Sequence, residues 1–409
     1  MFLSTIKIRT ILLMLLSVFY ILWGTSWELP LINIPTSYIL IGVLLITIIL
    51  LPGQSLKKER LMPFILFASV IFFTTPIGLS LVLSSNDVAR DLNYLVMYDL
   101  KILINVFLLF AILKIFKNRD DFHQFSFMIS VLISIIAPFL IWKYIFVFKV
   151  SYVGVTLDEP LRVGKNSFAT AMVLMFPIIL INLKKYGWYR FFSYLAILNL
   201  TALVILVNSR SMVIIFFFLC LFLLFFSEIK RKKLILSFAI PAIAISLVTV
   251  NLLDFLTKSG SFSDGFSGTD DPSVQYLVES HRGWLIQEAI VGTIRNNGLP
   301  HGTSTFRIRP TNQFSRTETH NDYLTVLYEQ GVIGLLLLLF LFASRIYYSL
   351  KSYRRNKDPI MLASIATLIG LFLSMIFMNI IQTVIFWLLF GINLSLDKER
   401  NNKDLIMDT

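Results

Sequence analysis

His320 stands at the mouth of a hydrophobic run, in the stretch ETHNDYLTVLYEQGVIG that occupies residues 318–334. An imidazole can take up and return a proton near neutral pH. A histidine placed where water meets an apolar helix is therefore a candidate general base. Thr319 and Asp322 have the spacing of a capping box, which predicts a helix that starts at about His320. The unpaired N–H groups at that start, and the positive end of its dipole, attract anions such as phosphate. At about 100° per residue, Gly331 lies roughly 20° around the helix from His320 and Gly334 roughly 40° away on the other side. Leu324, Leu327 and Leu338 share this stripe. Small residues on one stripe let another helix come close, so the stripe is expected to face a bundle and to carry His320 into its mouth. The plainer alternative makes the glycines ordinary packing residues and His320 a capping residue.

The element that must position these residues is a membrane bundle. The chain of 409 residues is 56% hydrophobic and 15% charged, with a mean hydropathy of +0.78. That composition belongs in a bilayer and excludes an ordinary soluble domain. The net charge of +12 is read as basic cytoplasmic loops, not as a nucleic-acid surface. A helix needs roughly 20 apolar residues to cross the bilayer core, and about twelve runs qualify. They lie at 10–24, 36–52, 62–83, 95–116, 125–148, 166–183, 190–207, 211–227, 234–252, 323–349, 359–377 and 380–396, the last two parted only by a tight turn near Asn379. The expected fold is all-α and polytopic. Residues 1–252 hold the first nine helices, 253–322 form one large outer loop, 323–397 hold the last three helices and 398–409 form a tail. Lys7 and Arg9 precede the first run, and no small-residue cleavage pattern follows it, so it reads as an uncleaved helix. With the amino terminus in the cytoplasm, most of the 36 Lys and Arg fall in alternate, inner loops, and both termini are cytoplasmic. Arg345 is counted among those inner residues. Within the large loop, ESHRGWLIQEAIVGTI reads as an amphipathic helix whose apolar face is Leu285, Ile286, Ala289 and Ile290, suited to the membrane surface.

Some basic residues remain on the disfavoured outer side: Arg90, Arg162, Lys165, Arg210, Arg282, Arg295, Arg307, Arg309 and Arg316. A guanidinium offers a planar fork that matches phosphate and keeps its charge, so these residues point to an anionic, phosphorylated substrate at the outer boundary. Contact with lipid headgroups is the alternative for any one of them. Arg210, in the short turn VNSRSMVI, is the most confined; Arg162 precedes a helix in RVGKNSFA, and Arg282 opens the loop helix. The four histidines are too scattered for a zinc site, and the single Cys220 excludes an intramolecular disulfide. A transporter would instead use mid-membrane ionisable groups, for which Asp99, Lys101 and Lys143 are candidates. One long loop without a counterpart in the first half argues against the repeat halves of such folds.

The stretch HNDYLTVLYEQGVIG resembles the His-Asn motif of the O-antigen ligase and polymerase superfamily of bacterial envelope glycosyltransferases. RVGKNSFA, NSRSMVI and HRGWLIQEAI support the resemblance, which covers roughly residues 155–340. It implies a GT-C-like bundle in the bacterial inner membrane with a periplasmic active site. The implied donor is a glycan on undecaprenyl pyrophosphate. For a ligase, the implied acceptor is the lipid A-core oligosaccharide; for a polymerase, it is another lipid-linked repeat unit. Carried onto this chain, His320 is the general base, Arg210 and Arg282 hold the pyrophosphate with Arg162 beside them, and Asn321 contacts substrate. No metal or other cofactor is implied, and membrane lipid is the remaining partner. Glu318 and Asp322 have no role in the motif; Asp322 is read as a helix cap.

Overall fold

In lipid, every backbone N–H and C=O must find a partner within the protein, which leaves apolar runs little choice but helix. The structure, a computed structural model, describes residues 9–17, 58–85, 87–142, 165–207, 210–226, 281–308 and 319–396, and it contains helices and no strand among them. Residues 9–17 are helical. The further helices are α1 (Lys58–Leu83), α2 (Val88–Ile115), α3 (Arg119–Trp142), α4 (Lys165–Ile179, extended by a 3-10 turn Leu180–Lys184), α5 (Trp188–Val207) and α6 (Arg210–Phe226). The next two described segments hold α7 (His281–Arg295), the short α8 (Thr305–Ile308), α9 (Asp322–Glu329), α10 (Gly331–Asn356), α11 (Pro359–Ser374) and α12 (Val384–Leu396). The expected helices at 36–52 and 234–252, the first part of the large loop and the tail lie outside the described residues.

Among the described residues, four helices are long and apolar enough to cross a membrane: Leu61–Leu83, Val88–Ile115, Arg119–Phe139 and Gly331–Asn356. The chain is a membrane protein. Shorter apolar helices, among them α11 and α12, fill its centre. All 13 residues of α12 are buried. It packs on α2, α10 and α11, with Phe390 against Phe64 and Phe342 at ring separations of 5.2 and 4.8 Å. Cys220 is a buried core residue.

Junctions expected on the cytoplasmic side come together at one end. Arg119 pairs with Asp358 at 2.9 Å, and Arg9 with Asp121 at 4.0 Å. Arg345 does not belong with them. It lies inside α10 with 1% exposure, and its Nε and Nη2 donate to Asn393 Oδ1 on α12 at 3.0 and 2.7 Å. Asn393 Nδ2 in turn donates to the hydroxyls of Ser349 and Ser364 at 3.0 and 2.9 Å. A count of basic residues in loops cannot see this, because a buried guanidinium needs only hydrogen-bonding partners inside the bundle.

At the opposite end, part of the large loop folds inward. Gly302, Thr303, Ser304 and Thr305 are buried. The Thr303 hydroxyl donates to Ile71 O at 2.9 Å and meets the Thr74 hydroxyl at 2.8 Å. Gly302 and Gly78 meet backbone to backbone, where a side chain on either would collide. Since Thr74 lies nine residues before the end of α1, the insertion reaches about 13 Å down that helix.

Candidate functional site

The His320 stretch folds differently from the single long helix that its stripe predicts. His320 has φ +52°, a left-handed conformation that cannot start a right-handed helix. Asn321 is the cap instead. Its Oδ1 accepts from the Leu324 N–H at 3.1 Å, and its Nδ2 donates to Ile376 O at 3.1 Å. The amide expected to touch substrate is thus engaged by the fold at both of its polar atoms. Thr319 is no capping-box residue: its hydroxyl accepts from the Asn321 N–H at 3.1 Å and lies 2.6 Å from the Thr325 hydroxyl. The helix also breaks early. Gly331 has φ +72°, and a Cβ there would lie 2.7 Å from Gly298 O and 2.9 Å from Pro300 N. Gly331 therefore does allow a close approach, but by the inserted loop and not by another helix. Its neighbour Val332 donates its N–H to Gly298 O at 3.0 Å, while Gly302 N–H caps Glu329 O at 3.0 Å. Because the α9–α10 axis is interrupted, the stripe from His320 to Gly334 does not exist, and the His320 side chain is exposed.

Asp322 is not a cap for its own helix either. Buried at 3% exposure, its Oδ2 accepts the N–H groups of Ile380 and Ile381 at 2.6 and 3.1 Å. Its own N–H donates to Met375 O at 2.9 Å. Residues 375–383, between α11 and α12, are not helical, and unpaired backbone there would be costly. Asp322 and Asn321 satisfy one side of that turn. Asn105 of α2 donates to Gln382 O at 3.1 Å, and Trp387 Nε1 to Ile381 O at 2.8 Å. The expected break near Asn379 is present, and it is clamped from both sides.

The clamp closes a cavity of about 330 Å³. One face of α2 lines it with Asn93, Tyr94, Met97, Tyr98 and Lys101; the inserted loop and α8 contribute Ser304, Phe306 and Arg307. Thr319, Thr325 and Glu329 come from the motif, and Asn379 and Gln382 from the clamped turn. The Arg307 guanidinium lies 4.2 Å from the Tyr94 ring centre. His320 directly follows Thr319 in the chain but is not itself a lining residue. The volume lies at the lower end of the range for small-ligand pockets.

The other expected site residues are less fully described. Arg162 lies outside the described residues; Arg210 and Arg282 are placed as backbone only, in the first turns of α6 and α7. Lys101 and Glu329 of the cavity had no place in the expected site, and Arg307 was only one outer arginine among several. Asn93, Tyr94, Met97, Tyr98 and Lys101 recur along one helical face, and that spacing is the signal from which α2's share could have been found.

Helix α7 keeps half of its expected apolar face for the protein. Leu285 and Ala289 pack with Phe306, Tyr328 and Leu324 in a small core of their own, whereas Ile286, Ile290 and Ile294 are exposed. His301 stacks on Tyr328 with ring centres 4.0 Å apart, and burial holds its imidazole below the usual histidine range. Among the described residues, no group of three or more His, Cys, Asp or Glu is placed to hold a metal ion. No protein-family model matches the chain, and no curated protein matches it significantly.

Proposed function

We propose that the chain is an O-antigen ligase: a membrane glycosyltransferase that moves a glycan from undecaprenyl pyrophosphate to the lipid A-core oligosaccharide at the periplasmic face of the bacterial inner membrane. One observation carries this reading. An exposed histidine directly follows Thr319, a wall residue of a cavity lined by tyrosines, amides and hydroxyls, inside an otherwise apolar helical protein. Such a cavity suits a sugar better than an ion or an apolar ligand. In the proposed step, His320 takes the proton of an acceptor hydroxyl as its oxygen attacks the anomeric carbon of the donor. The bond from that carbon to the pyrophosphate oxygen breaks, and its electron pair leaves with the pyrophosphate. Arg210 and Arg282, with Arg162, are proposed to hold that charge. Around this site the proposed architecture has about twelve spans, a large periplasmic loop and both termini in the cytoplasm.

Gene deletion followed by gel analysis of lipopolysaccharide tests the assignment. Loss of O-antigen from the core, with long polymer retained on its lipid carrier, is the expected result. Core bearing a single repeat unit identifies a polymerase instead, and an unchanged ladder rejects both. His320→Ala, expressed in the deletion strain, is expected to insert normally and restore no transfer. Wild-type transfer by that variant removes His320 as the base.

A further inference from the structure

The cavity carries a charge pattern that transfer to a sugar hydroxyl does not require. Lys101 lies halfway along the membrane-crossing α2 and opens on the cavity. Among the described residues it has no ion-pair partner. An ammonium at such depth is costly unless it serves a function. Asn93 and Lys101 are eight residues apart, so α2 lines the cavity over about 12 Å, with Lys101 at its far end. Arg307 is a second cation on the wall, lying over the Tyr94 ring. Glu329, at 3% exposure, is the one acid among the lining residues. Two cations and one carboxylate leave the lining with a formal charge of one positive unit.

We propose that this cavity is the seat of an acidic sugar, a ring bearing one carboxylate, with Lys101 as the residue that reads the charge. Tyr98 adds an aromatic surface to the wall, and Asn93, Asn379 and Gln382 offer amides to the hydroxyls of a sugar. Glu329 accepts from hydroxyls and opposes a second negative charge. A single excess positive charge matches a carboxylate, whereas a pyrophosphate would bring two or more negative charges. The sugar in this assignment rests on the glycosyltransferase reading; the preference for one negative charge rests on the lining alone.

Binding to full-length protein in nanodiscs tests it, with saturation-transfer NMR as the readout and no turnover needed. The probes are cellobiouronic acid, its neutral counterpart cellobiose, and a short isoprenyl phosphate without sugar. The acidic disaccharide is expected to bind about tenfold or more tightly than the neutral one, since one charge-assisted contact is worth that much. K101Q removes this preference, while K101R keeps it. Equal binding of the two sugars, no binding of either, or a preference that survives in K101Q overturns the proposal. So does displacement of the acidic sugar by isoprenyl phosphate at equal concentration, which makes the cavity a carrier-phosphate site. An unchanged lipopolysaccharide ladder in the deletion strain would defeat the ligase reading while leaving this charge preference measurable.

Discussion

Two buried polar clusters lie toward opposite ends of the bundle, and they use polarity differently. At the motif end, the Asp322 carboxylate accepts two backbone N–H groups of an irregular turn, and that turn delivers Asn379 and Gln382 to a cavity. About 21 Å along α10 from Gly331, Arg345 is bonded to Asn393, and Asn393 to two serines, among helices that are regular throughout. The first cluster shapes a space, and the second ties side chains of α10, α11 and α12 together without one. A buried polar group thus tells little about function until it is known whether its partner is irregular backbone beside a cavity or a side chain on a neighbouring helix.

The contrast can be broken in a definite order. Asn393→Leu removes an acceptor of a buried guanidinium and is expected to cost about 3–5 kcal/mol. Thermal unfolding in detergent should show a large drop in Tm, with any protein that still folds keeping the proposed glycan transfer. A selective loss of transfer in folded protein would show that the two clusters are coupled. Asp322→Asn keeps the shape but loses the carboxylate facing two N–H groups, at about 1–3 kcal/mol. Here transfer should fall much further than Tm does, because the turn beside the cavity shifts. Normal transfer by this variant would show that the clamp is not needed. The smallest effect is a pH response at the motif end. His301 is held below its ordinary value by burial, so the unfolded chain binds a proton more readily than the folded one. Stability should be full above about pH 6.5, the ordinary histidine value, and fall as pH drops from there through the lowered folded value. His301→Gln should flatten that slope; an equal slope in both proteins would place the response elsewhere.

Much of the helical layout is legible in the sequence because lipid enforces it. The runs at 62–83, 166–183, 211–227 and 359–377 have counterparts in α1, α4 with its 3-10 extension, α6 and α11. The site is legible only in part. The motif does lie at a cavity, but the turn 375–383 and the loop 298–306 reach it through long-range backbone bonds that no local pattern records. Gly331 shows the difficulty: its position fits a packing stripe, while its φ of +72° makes it the end of a helix. The clue was the Gln-Gly pair after only two turns of α9. Lys101 stands out in the sequence as an ionisable group within an apolar run, but its meaning depends on Arg307 and Glu329, which sequence alone cannot set beside it.

The burial of α12 bears on how the molecule is made. Translation releases α2, α10 and α11 before the 13 residues that fill the space between them. Until those residues arrive, the earlier helices enclose a gap where Phe386, Trp387 and Phe390 belong, and the turn that Asp322 grips lacks the bond from Trp387 to Ile381 O. The cavity end is therefore completed only once α12 is made, and a premature stop before Val384 would leave a hollow assembly.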